Sequence, residues 1–488
     1  MARVRLLLPQ ARPQRSHLRL CESFESEGHA VAVAWSQAPP EPLSLTLLVS
    51  LERLLYARRA EPEVDGDAFA RHAREQAGPA DITLDLTGSA IPAEGAYAPL
   101  FDGAFAYVAR DNALLSRRAP ELALARATPD GPAIVARALP ALERPASLVE
   151  GRRAVADSVQ SMALALARGA RLVEPAHDES PTPSPGNSLA FAVEGFAQAV
   201  AARIKRLVSH EPNWRIGWRS LAGGPTTMEA LRWPDARGWT WLEDTAASYY
   251  ADPFIFERDG VIAVFCEEYL YRSSKGVISV FTIDAQGRRS EPTIVVERPH
   301  HLSYPFLFDH DGALWMMPES SSAGALELLR CDEFPLRWSP HGSVLTGRSL
   351  SDATLARHGD QWIMTAATNA PGASTWDTLS IFRSGSPFGP WREDGGGPCL
   401  IDASAARPAG NWAKVGGAWR RPAQDCRTGY GQGTAICRLD ALGEGAFSQT
   451  VIGRLAPPPG SPSRGVHTLN AGAGFEAIDS LGPWTHRQ

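Results

Sequence analysis

The chain has 488 residues, 44% hydrophobic and 21% charged, the balance of a globular protein with apolar material for more than one core. Its formal net charge of −6 offers no basic surface to nucleic acid or to an anionic membrane, so neither is expected as a partner. No apolar run approaches the ~18–20 residues of a membrane span, and the opening MARVRLLLPQ is too short for a leader. Cys21, Cys266, Cys331, Cys399, Cys426 and Cys437 show no CxxC and no zinc spacing, which predicts buried thiols in a reducing, cytoplasmic setting.

Val4–Leu8 reads as a buried strand, 16–27 as a helix closed by Gly28, and His29–Trp35 as a second strand. Helical stretches follow near 43–57 and 66–75, then the strand 81–86 ending in Thr87-Gly88, and a helix over 152–168. This alternation predicts an α/β, Rossmann-like region over 1–174. It carries neither GxGxxG after the first strand nor GxxxxGK[ST], so no cofactor is expected. A doubly wound fold would place a ligand beside Asp85, but a simple turn after a buried strand is the favoured reading there. PAHDESPTPSPGNS opposes helix and sheet and predicts a linker, which with the helix that follows occupies 175–210. Asn187 or Ser188 is placed to cap that helix. Its apolar face, Leu189, Val193, Phe196, Val200, Ile204 and Leu207, is expected to pack between domains.

Beyond 210 the composition shifts to short strands, Gly/Pro/Asp turns and most of the tryptophans. YADPFIFERDGVIAVFCEE from Tyr250 is followed by LSYPFLFDHDGALWMMPES from Leu302. Asp252 aligns with Tyr304, Asp259-Gly260 with Asp311-Gly312 and Glu267 with Glu319, each pair 52 positions apart. A third copy opens at Ser351 with Asp352 in the Asp252 slot. Arg420–Leu439 and Val466–Asp479 supply a fourth and fifth unit, and Trp214–Trp218 a strand that enters or closes the ring. Two apolar runs around an Asp-Gly form a hairpin, and hairpin repeats of this length predict an all-β five-bladed β-propeller over 211–488.

Equivalent positions in a propeller converge at the axis. Asp252, Tyr304, Asp352, a residue of 421–425 and His467 are therefore expected at one mouth, with Glu267 and Glu319 in a second equivalent set. Carboxylates gathered in a cleft suit cleavage or transfer of a glycosyl unit. Asp252, held by an X-Pro backbone, is the expected base, and Glu319, desolvated by Trp315–Pro318, the acid, flanked by Glu267 and Asp352. Tyr304, Arg421, Gln424, Asp425 and His467 are the expected sugar-binding groups, and no metal site is expected. The ligand is then a carbohydrate or sugar-containing small molecule. The structural alternative for any single carboxylate is satisfying backbone donors at a blade start.

Asp252-Pro253 opening a five-blade repeat resembles the furanosidase-type glycoside hydrolases. More closely, Tyr250–Glu268, His301–Glu319, Arg421–Cys426 with Tyr430-Gly431, and Gly465–Thr468 resemble the N-terminal domain of the glucosamine inositolphosphorylceramide transferase family. The resemblance covers about 210–480 and implies the propeller and a glycan-related role. That family's glycosyltransferase domain has no counterpart here. Region 1–174 resembles a formyltransferase-like domain in strand–helix order and in ADITLDLTG, but the Asn and His-Pro-Ser-Leu-Leu-Pro signature is absent after Asp85. Three readings stay open: a glycosyl-cleaving or glycosyl-transferring enzyme, a non-catalytic glycan or nucleotide-sugar binding module of a surface-polysaccharide pathway, and a formyl or acyl transferase acting through the N-terminal region.

Overall fold

The computed structural model describes residues 1–11, 13–55, 63–72, 79–176, 187–210, 213–233, 238–368, 374–461, 463–483 and 485–486. In the N-terminal part, strands β1 (Arg3–Pro9), β2 (Ala30–Ser36), β3 (Ile82–Asp85), β4 (Tyr97–Phe101), β5 (Leu122–Thr128) and β6 (Gly131–Ala138) form one sheet in the order β2-β1-β3-β4-β5-β6. The helices are α1 (Arg15–Ser26), α2 (Leu43–Leu55), α3 (Tyr107–Leu115), α4 (Leu148–Arg168) and α5 (Ser188–Val208). Leu18, Cys21 and Phe24 of α1, Met162 and Ala163 of α4, and Val4, Leu6 and Leu8 of β1 share one core.

The Rossmann-like expectation meets a mixed sheet. The β2-β1-β3-β4 half is parallel, but β5 and β6 run antiparallel. β5 pairs antiparallel with β4 on one side and β6 on the other, and the second pairing has a local cause: Pro129-Asp130 joins β5 to β6 in a two-residue turn, and so short a loop permits only an antiparallel return. The helix expected over 66–75 is a single turn, Gly66–Phe69, and 73–75 lie outside the described residues. The first ends at Leu55, with 56–57 also outside. α4 starts earlier than expected because Ser147 caps it, its hydroxyl accepting from Glu150 N.

Most of the Pro/Ser linker, 177–186, lies outside the described residues. Asn187 caps α5 as expected, its Oδ1 accepting from Leu189 N at 3.0 Å and Ala190 N at 3.1 Å. The packing expectation for α5 is overturned. Leu189, Val193, Phe196 and Val200 are exposed, and Phe191 is the large side chain it buries. The Ile204 and Leu207 side chains fall outside the described set. No helix among the described residues is long and apolar enough to cross a membrane, which says nothing of strands.

From Trp214 the chain builds five blades. Three are consecutive antiparallel meanders whose first strands are Ser248–Arg258, Ser303–His310 and Leu350–His358. The fourth runs from Ala413–Val415 to Ala446–Leu455. The fifth closes the ring with strands from both ends of this region: Leu469–Gly472 and Phe475–Leu481 pair onto Trp214–Ser220 and Thr240–Leu242. Asp259-Gly260 and Asp311-Gly312 are hairpin turns, each residue at positive φ. All six cysteines are free thiols, four of them buried.

The N-terminal sheet docks on the propeller by backbone pairing. Leu139 N donates to Ile401 O, Ala403 N to Leu139 O, and Val173 N to Cys399 O. Two buried carboxylates complete the seam: Asp377 Oδ2 accepts from Ala141 N at 2.8 Å, and Asp402 Oδ2 from Ala176 N at 2.9 Å.

Candidate functional site

The repeat has a conformational origin. In each of the first three blades, pairing between the first two strands breaks at one place: between Ala251 and Phe254, Ser303 and Phe306, Ser351 and Thr354. Asp252, Tyr304 and Asp352 stand in these bulges with left-handed φ of 52°, 43° and 55°. A non-glycine residue held there costs of order 1–3 kcal/mol and persists only when its surroundings fix it.

The fixing groups are carboxylates of the preceding blade. Asp252 N donates to Asp479 Oδ2 (3.0 Å), Tyr304 N to Asp252 Oδ2 (3.2 Å) and Asp352 N to Glu319 Oε2 (3.1 Å). The acidic residues at the mouth therefore knit the blades together, and each arrives in register because its backbone partner does.

Asp252 is buried, and its Oδ1 accepts from Thr468 Oγ1 at 2.7 Å. His467 lies between two carboxylates, Nδ1 2.6 Å from Asp479 and Nε2 3.6 Å from Asp252, with its ring stacked on Trp214. Burial opposes its charge, but Asp479 and Asp252 outweigh burial and hold the imidazole above its ordinary value. Burial raises the Asp252 carboxyl, with the imidazolium pulling the other way. Asp252, His467 and Asp479 are also close enough together to hold a cation, but the ion pair and the backbone amides already engage these atoms.

Asp352 is buried against Arg407, whose Nε donates to its Oδ2 at 2.6 Å, and Gln424 Nε2 donates to the same oxygen at 3.0 Å. Burial drives the Asp352 carboxyl upward against the pull of Arg407. Burial likewise disfavours the guanidinium, yet Asp352 holds Arg407 well above its ordinary value. We take the pair as ionised, because a contact this short is a charge-assisted hydrogen bond.

Glu267 and Glu319 occupy matching positions, paired with Ala251 and Ser303, but differ in surroundings. Glu319 is half-buried and accepts from three donors, Ser321 Oγ, Ser351 Oγ and Asp352 N. Glu267 is buried, its Oε1 has no hydrogen-bond partner, and His301 Nε2 lies 3.4 Å from it. Burial, then the charges of Asp252 and Glu319, push its carboxyl well above the ordinary range. Burial lowers the His301 imidazole, so it does not offset this. Burial thus favours the protonated form of Glu267.

Several expected site residues are placed otherwise. Arg421 is fully buried, and its guanidinium donates to Ala405 O, Ala406 O and Gln449 Oε1; the residue that reaches the mouth carboxylates is Arg407. Asp425 pairs with Arg427 and Arg454. The Tyr304 hydroxyl is buried with Thr354 Oγ1 and Gly410 N, leaving no atom of it for a ligand. Gln424 and His467 do join the cluster. The apolar run before Glu319 does not exclude its three donors, whereas Glu267 Oε1 has no hydrogen-bond partner.

Around the cluster are groups the sequence reading missed. Thr375, Trp376 and Arg407 are among them, and with Glu319, Ser351 and Tyr430 they line one depression. Tyr249 and Tyr269 stack at 4.8 Å, and the Tyr269 ring lies tilted against His301 with centroids 6.1 Å apart. Arg407-Pro408 repeats the X-Pro of Asp252-Pro253 and Tyr304-Pro305, but so does Arg421-Pro422, so the pattern does not single it out. In the N-terminal part, Asp85 closes its own turn, accepting from Thr87 N and Oγ1 and from Ala93 N.

Residues 241–455 match the family described as glucosamine inositolphosphorylceramide transferase 1, N-terminal. The chain is 27% identical over 327 residues to glucosamine inositolphosphorylceramide transferase 1 of Oryza sativa subsp. japonica, covering 62% of this chain and 44% of that protein. It is 29% identical over 210 residues to that of Arabidopsis thaliana, covering 42% of this chain and 27% of that protein. The matched part thus spans less than half the length of these relatives. Among solved structures, a Cellvibrio cellulosa α-L-arabinanase complexed with arabinohexaose is similar at 16% identity and a TM-score of 0.33, over 47% of this chain and 82% of that one. RS223-β-xylosidase is similar at 13% identity and a TM-score of 0.33, over 49% and 95%.

Proposed function

Residues 241–455 belong to the N-terminal domain family of glucosamine inositolphosphorylceramide transferase 1, and from that premise we propose that the propeller mouth binds a sugar-containing molecule and cleaves or transfers a glycosyl unit. The observation that carries this is Glu267: a buried carboxyl with an unpartnered oxygen, pushed toward its protonated form by burial and by the charges of Asp252 and Glu319. Two carboxyl groups whose environments separate their protonation states are what acid–base cleavage of a glycosidic bond requires. Glu267 gives its proton to the leaving oxygen. Asp252, whose charged form His467 favours against burial, takes the proton from the attacking water or acceptor hydroxyl. Arg407, Tyr430 and Trp376 hold the sugar from the opposite side, and Asp352 positions Arg407.

A second reading, binding without turnover, is favoured by one feature. Asp252 and Glu319 each serve a neighbouring blade's amide, and Asp352 is neutralised by Arg407. We keep the division into an N-terminal α/β region to 174, a connecting segment to 210 and the propeller, and read the first as a scaffold without formyl transfer.

The test is turnover of aryl pyranosides, aryl furanosides and sugar nucleotides by wild type, E267Q and D252N. The enzyme reading expects turnover of at least one compound, lowered about 10²–10⁴-fold in each variant while E267Q still binds. Binding with no turnover by wild type, or full turnover in both variants, removes the reacting centre and leaves the binding reading.

A further inference from the structure

A cleft outside the mouth lies at the carboxyl ends of β1 and β3. It measures about 610 Å³ counting the space open to solvent, within the range of small-molecule sites. Pro9 and Leu86, which end or follow these parallel strands, form part of its wall with Leu20, Phe101 and Val159. The carboxyl edge of parallel strands is where an open α/β sheet leaves room for a ligand.

Its polar lining carries several donors beside the side-chain amides of Gln14 and Gln160. α1 begins here, and its first turn contains no acidic residue. The amides of Arg15 and Ser16 are among the first-turn N–H groups that have no acceptor within a helix. Ser16 lines the cleft, is only 7% exposed, and its hydroxyl has no hydrogen-bond partner among the described residues. His17 Nδ1 accepts from Gln14 N at 3.2 Å. Burial lowers the His17 imidazole to about 4, so it is neutral and carries its proton on Nε2, a further donor. Arg110, stacked over the Tyr107 ring at 4.3 Å, adds a guanidinium to the wall. Arg110 and Arg152 both pair with Asp111, which leaves the cleft floor without free negative charge.

We propose that this cleft is a second ligand site, taking a small molecule with an oxyanion group at the start of α1 and a ring-bearing apolar body against Leu20, Phe101 and Val159. The oxyanion meets oriented N–H groups, the Ser16 hydroxyl and the positive end of the helix dipole. The apolar walls supply affinity that inorganic phosphate alone does not obtain. Carboxylate and phosphate share this chemistry.

The experiment is calorimetric titration of the full chain with phenyl phosphate, benzoate, benzyl alcohol and inorganic phosphate. Phenyl phosphate or benzoate is expected to bind at one saturable site, and benzyl alcohol and inorganic phosphate at least ~10-fold more weakly. S16A is expected to weaken binding about fivefold, the worth of one hydrogen bond. A156F, on a half-exposed residue lining the cleft, is expected to abolish it with the melting transition retained. The site is overturned if neither aromatic anion saturates wild type, if benzyl alcohol binds as well as they do, or if folded A156F binds unchanged.

Discussion

Arg407 is the residue on which the electrostatics of the mouth turn. It is the cation in contact with buried Asp352, so R407A leaves a carboxylate buried with only Gln424 as donor. Breaking a buried pair from one side costs about 3–5 kcal/mol, and denaturant unfolding of R407A should show a loss of that size. R407A with D352N should recover part of it, and a single variant as stable as wild type would mean that the pair is not ionic. Arg407 also shows what the sequence hid. The repeat placed Asp252, Tyr304 and Asp352 correctly because their bulges recur with fixed spacing. In the fourth unit that spacing is lost, so the alignment settled on Arg421, whose buried guanidinium serves carbonyls. Glu267 and Glu319 are indistinguishable as letters. What separates them is three hydrogen-bond donors, two from the following loop and blade and one a backbone amide, which no local pattern encodes.

At the scale of elements, α5 tests how apolar periodicity is read. Its stripe has helical spacing, which predicted burial, yet Leu189, Val193 and Phe196 are exposed by 73%, 60% and 63%. Periodicity reports a face that a helix can bury, not whether this chain supplies the partner. L189S and F196S should therefore each shift stability by no more than ~0.5 kcal/mol. F191A, at a side chain only 3% exposed, should cost several times more, up to about 3–5 kcal/mol. Equal effects in thermal melts would mean that the exposed stripe is covered in solution. The β5–β6 hairpin makes the complementary point. Its Pro-Asp-Gly turn was legible, but the alternation of strands and helices before it set the expectation of parallel continuation.

At the scale of the molecule, the seam between the N-terminal sheet and the propeller contains a pH-sensitive group. Burial raises Asp377 to about 8, while Ala141 N donates to it across the seam. Its folded value lies above the unfolded one of 3.8, so the folded state holds the extra proton. Stability from this group is complete at low pH and is lost as pH rises toward and through about 8. D377N keeps the acceptor and removes the titration. The melting temperature of D377N minus that of wild type should therefore grow between about pH 5 and about pH 9. A flat difference would show that Asp377 is ionised in the fold. The seam itself was not legible, since Leu139, Val173 and 399–403 meet only after both parts have folded.

The proposed chemistry needs Glu267 to be an uncharged acid at the mouth, and this is measurable without knowing the substrate. Infrared difference spectra of wild type minus E267Q near neutral pH should contain the carbonyl stretch of a protonated carboxylic acid, fading only as the solution becomes alkaline. A carboxylate band in its place would contradict the assignment of Glu267 as the proton donor.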